Sequence, residues 1–437
     1  MTGSPIPKSS PCGRNTPCSL CPSFDLCRLR TQKGTVRPEN PVLHSACTSK
    51  PILPLPEQDG IGIAADIGTT SVCMNAYRLH DGRLLASASA YNAQSRFADD
   101  VIGRADAAVN GQAEALKNAV TDCLSALENT VDPDHLPVSR RVFCGNTAML
   151  YLLTGKDASC FCSAPFHAED LFGKVADVNG KNVYLPSCVH AFAGADLVCG
   201  IADTLRYLPG ETEMLIDIGT NGEIALWNGK DLFCASTAAG PCFEGAGLCC
   251  GMRAVSGAVS ECFAVNGRVF AKTTDNSPAR GICGSGMTDL VACLLDLEIL
   301  EPSGRMDQDR FHIDENVYVT ADDIRRFQVA KAAVQAGILT LMKEAGCEKT
   351  DRVFLSGAFG TAARFSSLFR TGLLPAGMRG KIAAAGNTAL NGASRMLTDM
   401  SFRERAAKLA RNAVYIPLAE HPSFARLFTC CMSFPEI

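Results

Sequence analysis

The chain has 437 residues, 47% hydrophobic and 20% charged, with a formal net charge of −4. Ordinary apolar content and small net charge exclude a wholly disordered chain, and no run of about 18 apolar residues reads as a membrane span. With 1 Trp and 7 Tyr there is no electrostatic or stacking footprint for nucleic acid.

No apolar leader opens the chain, so the expected compartment is the cytoplasm. Cysteine is abundant, at 22 residues. In a long chain without a leader these are expected as reduced thiols, most of them packed as small hydrophobes.

Ten of the 22 prolines fall within the first 56 residues, which excludes regular helix or central strand there. Residues 1–27 read as a Cys-rich head and 28–59 as an extended, Pro-punctuated linker. In the head, Cys12, Cys18, Cys21 and Cys27 place four thiolates within 16 residues. Four such ligands suit a 4Fe-4S cluster, a 2Fe-2S cluster or zinc. Cys47 is a possible substitute ligand.

From Gly60 the pattern turns globular. Strands are predicted at Ile61–Asp66, Ser71–Leu79, Leu84–Ala90, Met214–Asp217, Glu223–Trp227 and Val353–Leu355. Helices are predicted over Gln112–Leu127 and Asp322–Ala345. In the second, Thr320 and Asp323 can form a capping box, and Gly346 is the stop. Alternating strands and helices indicate an α/β architecture.

An internal echo lies inside this region. Asp66-Ile-Gly68-Thr69-Thr70 recurs as Asp217-Ile-Gly219-Thr220-Asn221, 151 positions later, each ending an apolar strand and leading into another. Each second strand runs into an Asp-Gly or Asn-Gly turn. The echo predicts a duplicated domain with a shared cleft, its halves at 60–205 and 206–437. A tight Gly-Thr turn offers backbone N–H groups and hydroxyls to phosphate oxygens. Two opposed copies would add two carboxylates, Asp66 and Asp217, which suit Mg²⁺ bound through water. A third strand runs into Gly357-Ala-Phe359-Gly360, where a nucleoside could lie on the backbone. No Walker sequence is present.

Other clusters have plainer readings. Cys160 and Cys162 alternate as strand neighbours would, and Cys249-Cys250 and Cys430-Cys431 are expected in the core. Glu244 could orient a water, meet a partner or make a structural hydrogen bond. The histidines show no zinc-hydrolase spacing, and Ser285 lacks the nucleophile elbow.

Together these motifs resemble the superfamily of sugar kinases, heat-shock chaperones and actin. Longer strings narrow the resemblance to the ATPase domain of the reductive activators of corrinoid proteins. These are Leu215–Glu223, Ser236–Ala246, Gly251-Met-Arg-Ala254, Gly281–Gly286, Gly386–Ala393 and Phe434-Pro435. The resemblance implies two ribonuclease-H-like halves clasping Mg-ATP. Gly68, Thr69 and Thr70 would form one phosphate loop and Gly219, Thr220 and Asn221 the other. Gly357, Phe359 and Gly360 would hold adenosine. It implies ATP-dependent one-electron reduction of a Co(II) corrinoid protein to Co(I), relayed from a donor through an iron–sulfur cluster, and a possible homodimer. The alternatives are activation of another low-potential metalloenzyme, as in acyl-CoA dehydratase activators, or a small-molecule kinase. The family's N-terminal 2Fe-2S ferredoxin domain and its middle domain are both expected to be missing, since fewer than 60 residues precede the ATPase core.

Overall fold

The computed structural model describes residues 51–436. The proposed head, with Cys12, Cys18, Cys21 and Cys27, most of the linker, and Cys47 lie outside the described residues.

Two six-stranded sheets carry the fold. The first holds β1 (Ile61–Ile67), β2 (Ser71–Arg78), β3 (Leu84–Tyr91), β4 (Val138–Gly145), β5 (Lys174–Val178) and β6 (Lys181–Leu185). Their order across the sheet is β3-β2-β1-β4-β6-β5. The second sheet begins with β7 (Glu213–Ile218), β8 (Gly222–Trp227) and β9 (Leu232–Thr237). Between its early and late strands lie β10 (Ala258–Val265), β11 (Arg268–Thr273), β12 (Gly281–Ile282), β13 (Arg310–His312) and β14 (Tyr318–Thr320), which form smaller sheets. It closes with β15 (Arg352–Ser356), β16 (Ile382–Gly386) and β17 (Val414–Tyr415), in the order β16-β15-β7-β8-β9-β17.

The pairings repeat. In each half a three-stranded antiparallel meander, β1-β2-β3 or β7-β8-β9, is extended by a parallel strand, β4 on β1 or β15 on β7. The register repeats as well: Asp66 faces Cys144 on β4, and Asp217 faces Ser356 on β15. β1 and β7 are central strands, buried on both faces, which explains their nearly continuous apolar sequence. The architecture is the duplicated ribonuclease-H-like, actin and sugar-kinase type. No helix among the described residues is long and apolar enough to cross a membrane.

The expected helices form, at Ala113–Val131 and Ala321–Glu344, and the capping box is present. Thr320 Oγ1 accepts from the Asp323 N–H at 3.2 Å, and the Thr320 N–H donates to Asp323 Oδ2 at 2.9 Å. The tail of the linker is not free of the core. Leu55 N donates to Leu79 O at 2.8 Å, and Ile52 is buried against the β2–β3 turn.

Some local expectations fail. Cys160 and Cys162 are not strand neighbours. Asp157 accepts from the Ser159 N–H at 3.0 Å and starts a single helical turn, Ser159–Phe161, which breaks the alternation. Cys162, Cys249 and Cys430 are exposed rather than in the core. Cys249 is drawn to the start of the long helix, where its Sγ donates to Asp323 Oδ2 at 2.7 Å. Most of the other described cysteines are buried.

The cores also interlock. The helices Thr388–Arg395 and Met400–Asn412 lie in sequence between β16 and β17 of the second sheet. Leu390, Ala393, Leu397 and Phe402 nevertheless pack in the same cluster as Ile63, Met74 and Val142 of the first sheet.

Candidate functional site

Both Asp-Ile-Gly-Thr turns open onto one cleft of about 240 Å³ between the halves. Its lining includes Asp66, Gly68, Thr69 and Thr70 from the first half and Asp217, Gly219, Thr220 and Asn221 from the second. The glycine N–H closes each turn: Gly68 N donates to Ser71 O, three residues on, and Gly219 N to Asn221 O, two residues on, each at 2.9 Å. Two carbonyls of the first turn are taken up by its own half. Asn92 Nδ2 donates to Gly68 O at 2.9 Å, and the buried Arg104 donates through Nη2 to Thr69 O at 2.6 Å. Donors are then what this turn has left for a ligand, as an anion site requires.

Gly357 and Phe359 line the same cleft, with Ala358 between them. The Gly-rich stretch is not an open turn, because Gly357–Ala362 winds into a short helix after β15. Gly357 sits at φ +81°, and a Cβ there would lie 2.6 Å from Asp217 Oδ1. Only glycine fits that backbone beside that carboxylate. Gly360 does not line the cleft. It is buried beneath, against Leu355.

Contacts cross from half to half. Thr70 Oγ1 donates to Glu244 Oε2 at 2.6 Å, and Thr220 Oγ1 donates to the same oxygen at 2.7 Å. Glu244 therefore ties the two turns together. Asn387, which caps the helix Thr388–Arg395, donates through Nδ2 to Asp66 Oδ2 at 2.9 Å.

The cleft is strongly acidic. Burial pushes the Asp66 carboxyl up to about 6; the Asn387 hydrogen bond opposes this and the Asp217 charge adds to it. Burial, then the Asp66 charge, pushes Asp196 up to about 7. Asp217 is raised by burial, against the Ser356 hydrogen bond. Glu223 is raised well above the usual carboxylate range by burial, then by Asp196 and Asp217. Carboxylates that crowd each other in this way are poised for a cation.

The echo did not single out Asp196, Glu223 or Asn387. Asp196 opens the helix Ala195–Thr204 and belongs to no repeated motif. Glu223 and Asn387 stand inside strings that carried the resemblance, and only Glu223, two residues after Asn221, had the signal of position beside a turn.

The C-terminal half, residues 211–437, matches the family model for the C-terminal domain of RACo, the ASKHA domain. The chain belongs to the RACo family. As a member it is an enzyme, a reductive activator. Residues 61–205 match the model for the RACo middle region. That overturns the expectation of a missing middle domain. The middle region is itself the first ribonuclease-H-like half, counted in the sequence as part of the ATPase core.

Relatives agree with the RACo assignment. A corrinoid activation enzyme, RamQ of Eubacterium limosum, is 30% identical over 414 residues, covering 84% of this chain and 69% of the relative. A reductase of the Co(II) methylated amine-specific corrinoid protein from Methanosarcina barkeri is 23% identical, covering 85% of this chain and 77% of the relative. The solved structure of a reductive activator for a corrinoid, iron–sulfur protein superposes with TM-score 0.77 at 30% identity. That match covers 87% of this chain and 67% of the other.

Proposed function

We propose that this protein is an ATP-dependent activase that returns an inactive Co(II) corrinoid protein to Co(I) by one-electron reduction. The observation that carries the reading is the matched pair of Asp-Ile-Gly-Thr turns facing one cleft in a RACo-family chain. Membership in that family favours a corrinoid client over the kinase and dehydratase-activator alternatives.

In this reading Gly68, Thr69 and Thr70 hold phosphate oxygens from one side, and Gly219, Thr220 and Asn221 hold them from the other. Asp66 and Asp217 take Mg²⁺ through water. Gly357 and Phe359 flank the nucleoside, and Gly360 supports that turn from beneath. Phosphate oxygens compete for the Thr70 and Thr220 hydroxyls that Glu244 now engages. Nucleotide binding thereby replaces a protein clasp with a ligand clasp, and the halves respond. A ligand can shift such an equilibrium only by its differential affinity for the two states. The work done on the client is bounded in the same way.

The electron comes from an external low-potential donor, not from ATP. Cys12, Cys18, Cys21 and Cys27 are the proposed ligands of a 4Fe-4S cluster, which would supply a one-electron relay.

The test is anaerobic. Protein, Mg-ATP, a low-potential reductant and a cognate corrinoid protein are mixed, and the Co(I) absorbance is followed. Co(I) is expected to accumulate only with ATP. Equal accumulation without ATP, or none with cognate corrinoid proteins, contradicts the proposal.

A further inference from the structure

The cleft lining holds five carboxylates: Asp66, Asp196, Asp217, Glu223 and Glu244. Among the described residues that line it, Arg253 alone is Lys, Arg or His. A triphosphate brings several further negative charges, and sites that bind one supply cations or oriented donors to meet them. From the geometry around Arg253 we infer that it is the protein's own charge partner for the polyphosphate, and that it works at a built anion corner. The inference rests on the nucleotide reading above and deepens it.

Three observations fix the corner. First, the segment carrying Arg253 runs parallel to the entry of the helix Gly284–Asp296. Gly251 bridges Ile282, Ile282 N donates to Cys250 O at 2.8 Å, and Met252 N donates to Ile282 O at 2.9 Å. Arg253 and Gly284 each follow within two residues of this bridge, and both line the cleft. Second, the helix start has no side-chain cap, and Cys283, Gly284 and Ser285 all line the cleft. An uncapped 13-residue helix presents N–H donors and a partial positive charge to whatever lies there. Third, among the described residues the guanidinium has no ion pair. It lies 4.2 Å from the centroid of the Tyr91 ring at the end of β3, across the cleft in the other half.

Arginine suits this place better than lysine. Its plane stacks on an aromatic face while its fork of donors stays available for phosphate oxygens. Tyr91 lines the same cleft, so the ring acts as a rest that holds the charge beside it. Polyphosphate binding would draw Arg253 toward the uncapped helix start and change a contact that joins the halves.

The experiment compares Arg253→Gln, Arg253→Lys and Tyr91→Leu with the wild type. Affinities are measured by calorimetry for Mg-ATP, adenosine and inorganic tripolyphosphate, at two or more salt concentrations. For Arg253→Gln the expected result is 10- to 100-fold weaker ATP and tripolyphosphate binding, adenosine within twofold, and a shallower salt dependence for ATP. Arg253→Lys should fall between. Tyr91→Leu keeps the charge and should weaken ATP only a fewfold. If Arg253→Gln binds ATP like the wild type, or loses ATP and adenosine alike, the inference is wrong and the nucleotide reading stands. The inference also fails if Tyr91→Leu loses as much ATP affinity as Arg253→Gln, since packing would then be the role. If the wild type binds neither ATP nor tripolyphosphate, the nucleotide reading falls and takes the inference with it.

Discussion

Asp66 carries opposing demands. Its carboxylate is proposed to face Mg²⁺, yet without a cation the folded chain holds its pKa up at about 6, by burial first and by the Asp217 charge after. A carboxyl with a higher pKa folded than unfolded binds its proton more tightly in the folded state. The stability it contributes is therefore full below the ordinary value of 3.8 and is lost as pH rises through about 6. The shift corresponds to at most about 3 kcal/mol, and the open cleft discounts it. Asp66→Asn should therefore be more stable than the ligand-free wild type at pH 7.5, with the difference shrinking toward pH 4, and should lose ATP hydrolysis. Calorimetric melting across pH checks this; parallel melting curves would refute it. Glu244 joins the two turns. It accepts hydroxyl donors from both turns, and such bonds to a charged group are each worth about 1–3 kcal/mol. Two such bonds, less the relief of the Glu244 charge beside Asp217, lead us to expect that Glu244→Ala lowers ligand-free stability by about 2–4 kcal/mol in urea melts. No change would mean that the clasp is idle.

At the scale of elements, the two acidic hairpins were legible because strand, Gly-Thr turn and second strand are local and occur twice. The capping box at Thr320 and Asp323 was legible for the same reason. What escaped depends on register between distant strands. Nothing in a local window says that Asp196 opens a helix onto Asp66, or that Asn387 caps one helix while bonding a strand end 321 positions away. Gly360 was read as a lining residue because its neighbours are, whereas helical winding after Gly357 turns it inward. The alternation at Cys160 and Cys162 misled because the Asp157 side chain accepts from the Ser159 N–H and a helical turn follows it. The Gly357 turn yields its own prediction. A Cβ at 2.6 Å from Asp217 Oδ1, on a backbone at φ +81°, must displace the carboxylate or the helix start. Gly357→Ala should cost about 1–3 kcal/mol and weaken Mg-nucleotide binding with it. Thermal melts and calorimetry on one sample would show both losses, and unchanged binding would contradict the placement.

The whole described molecule is tied together more tightly than its duplicated sheets suggest. Phe402 lies in sequence between β16 and β17 of the second sheet but is fully buried in the core of the first. Unfolding either half exposes the other's packing, so residues 51–436 should melt in one cooperative transition. Phe402→Ala, which opens a cavity in the first core, is expected to cost about 3–5 kcal/mol and to shift that single transition as a unit. Two separated transitions would show independent halves.

Two opposed hairpins holding one Mg-bound triphosphate are the feature on which the proposed activity depends most. Titration of a non-hydrolysable Mg-ATP analogue into the full chain, with Asp66→Ala and Asp217→Ala alongside, tests it most directly. The wild type should bind one analogue per chain, and each substitution should weaken binding at least tenfold when Mg²⁺ is present. An analogue that fails to bind the wild type, or binds all three proteins equally, would contradict it.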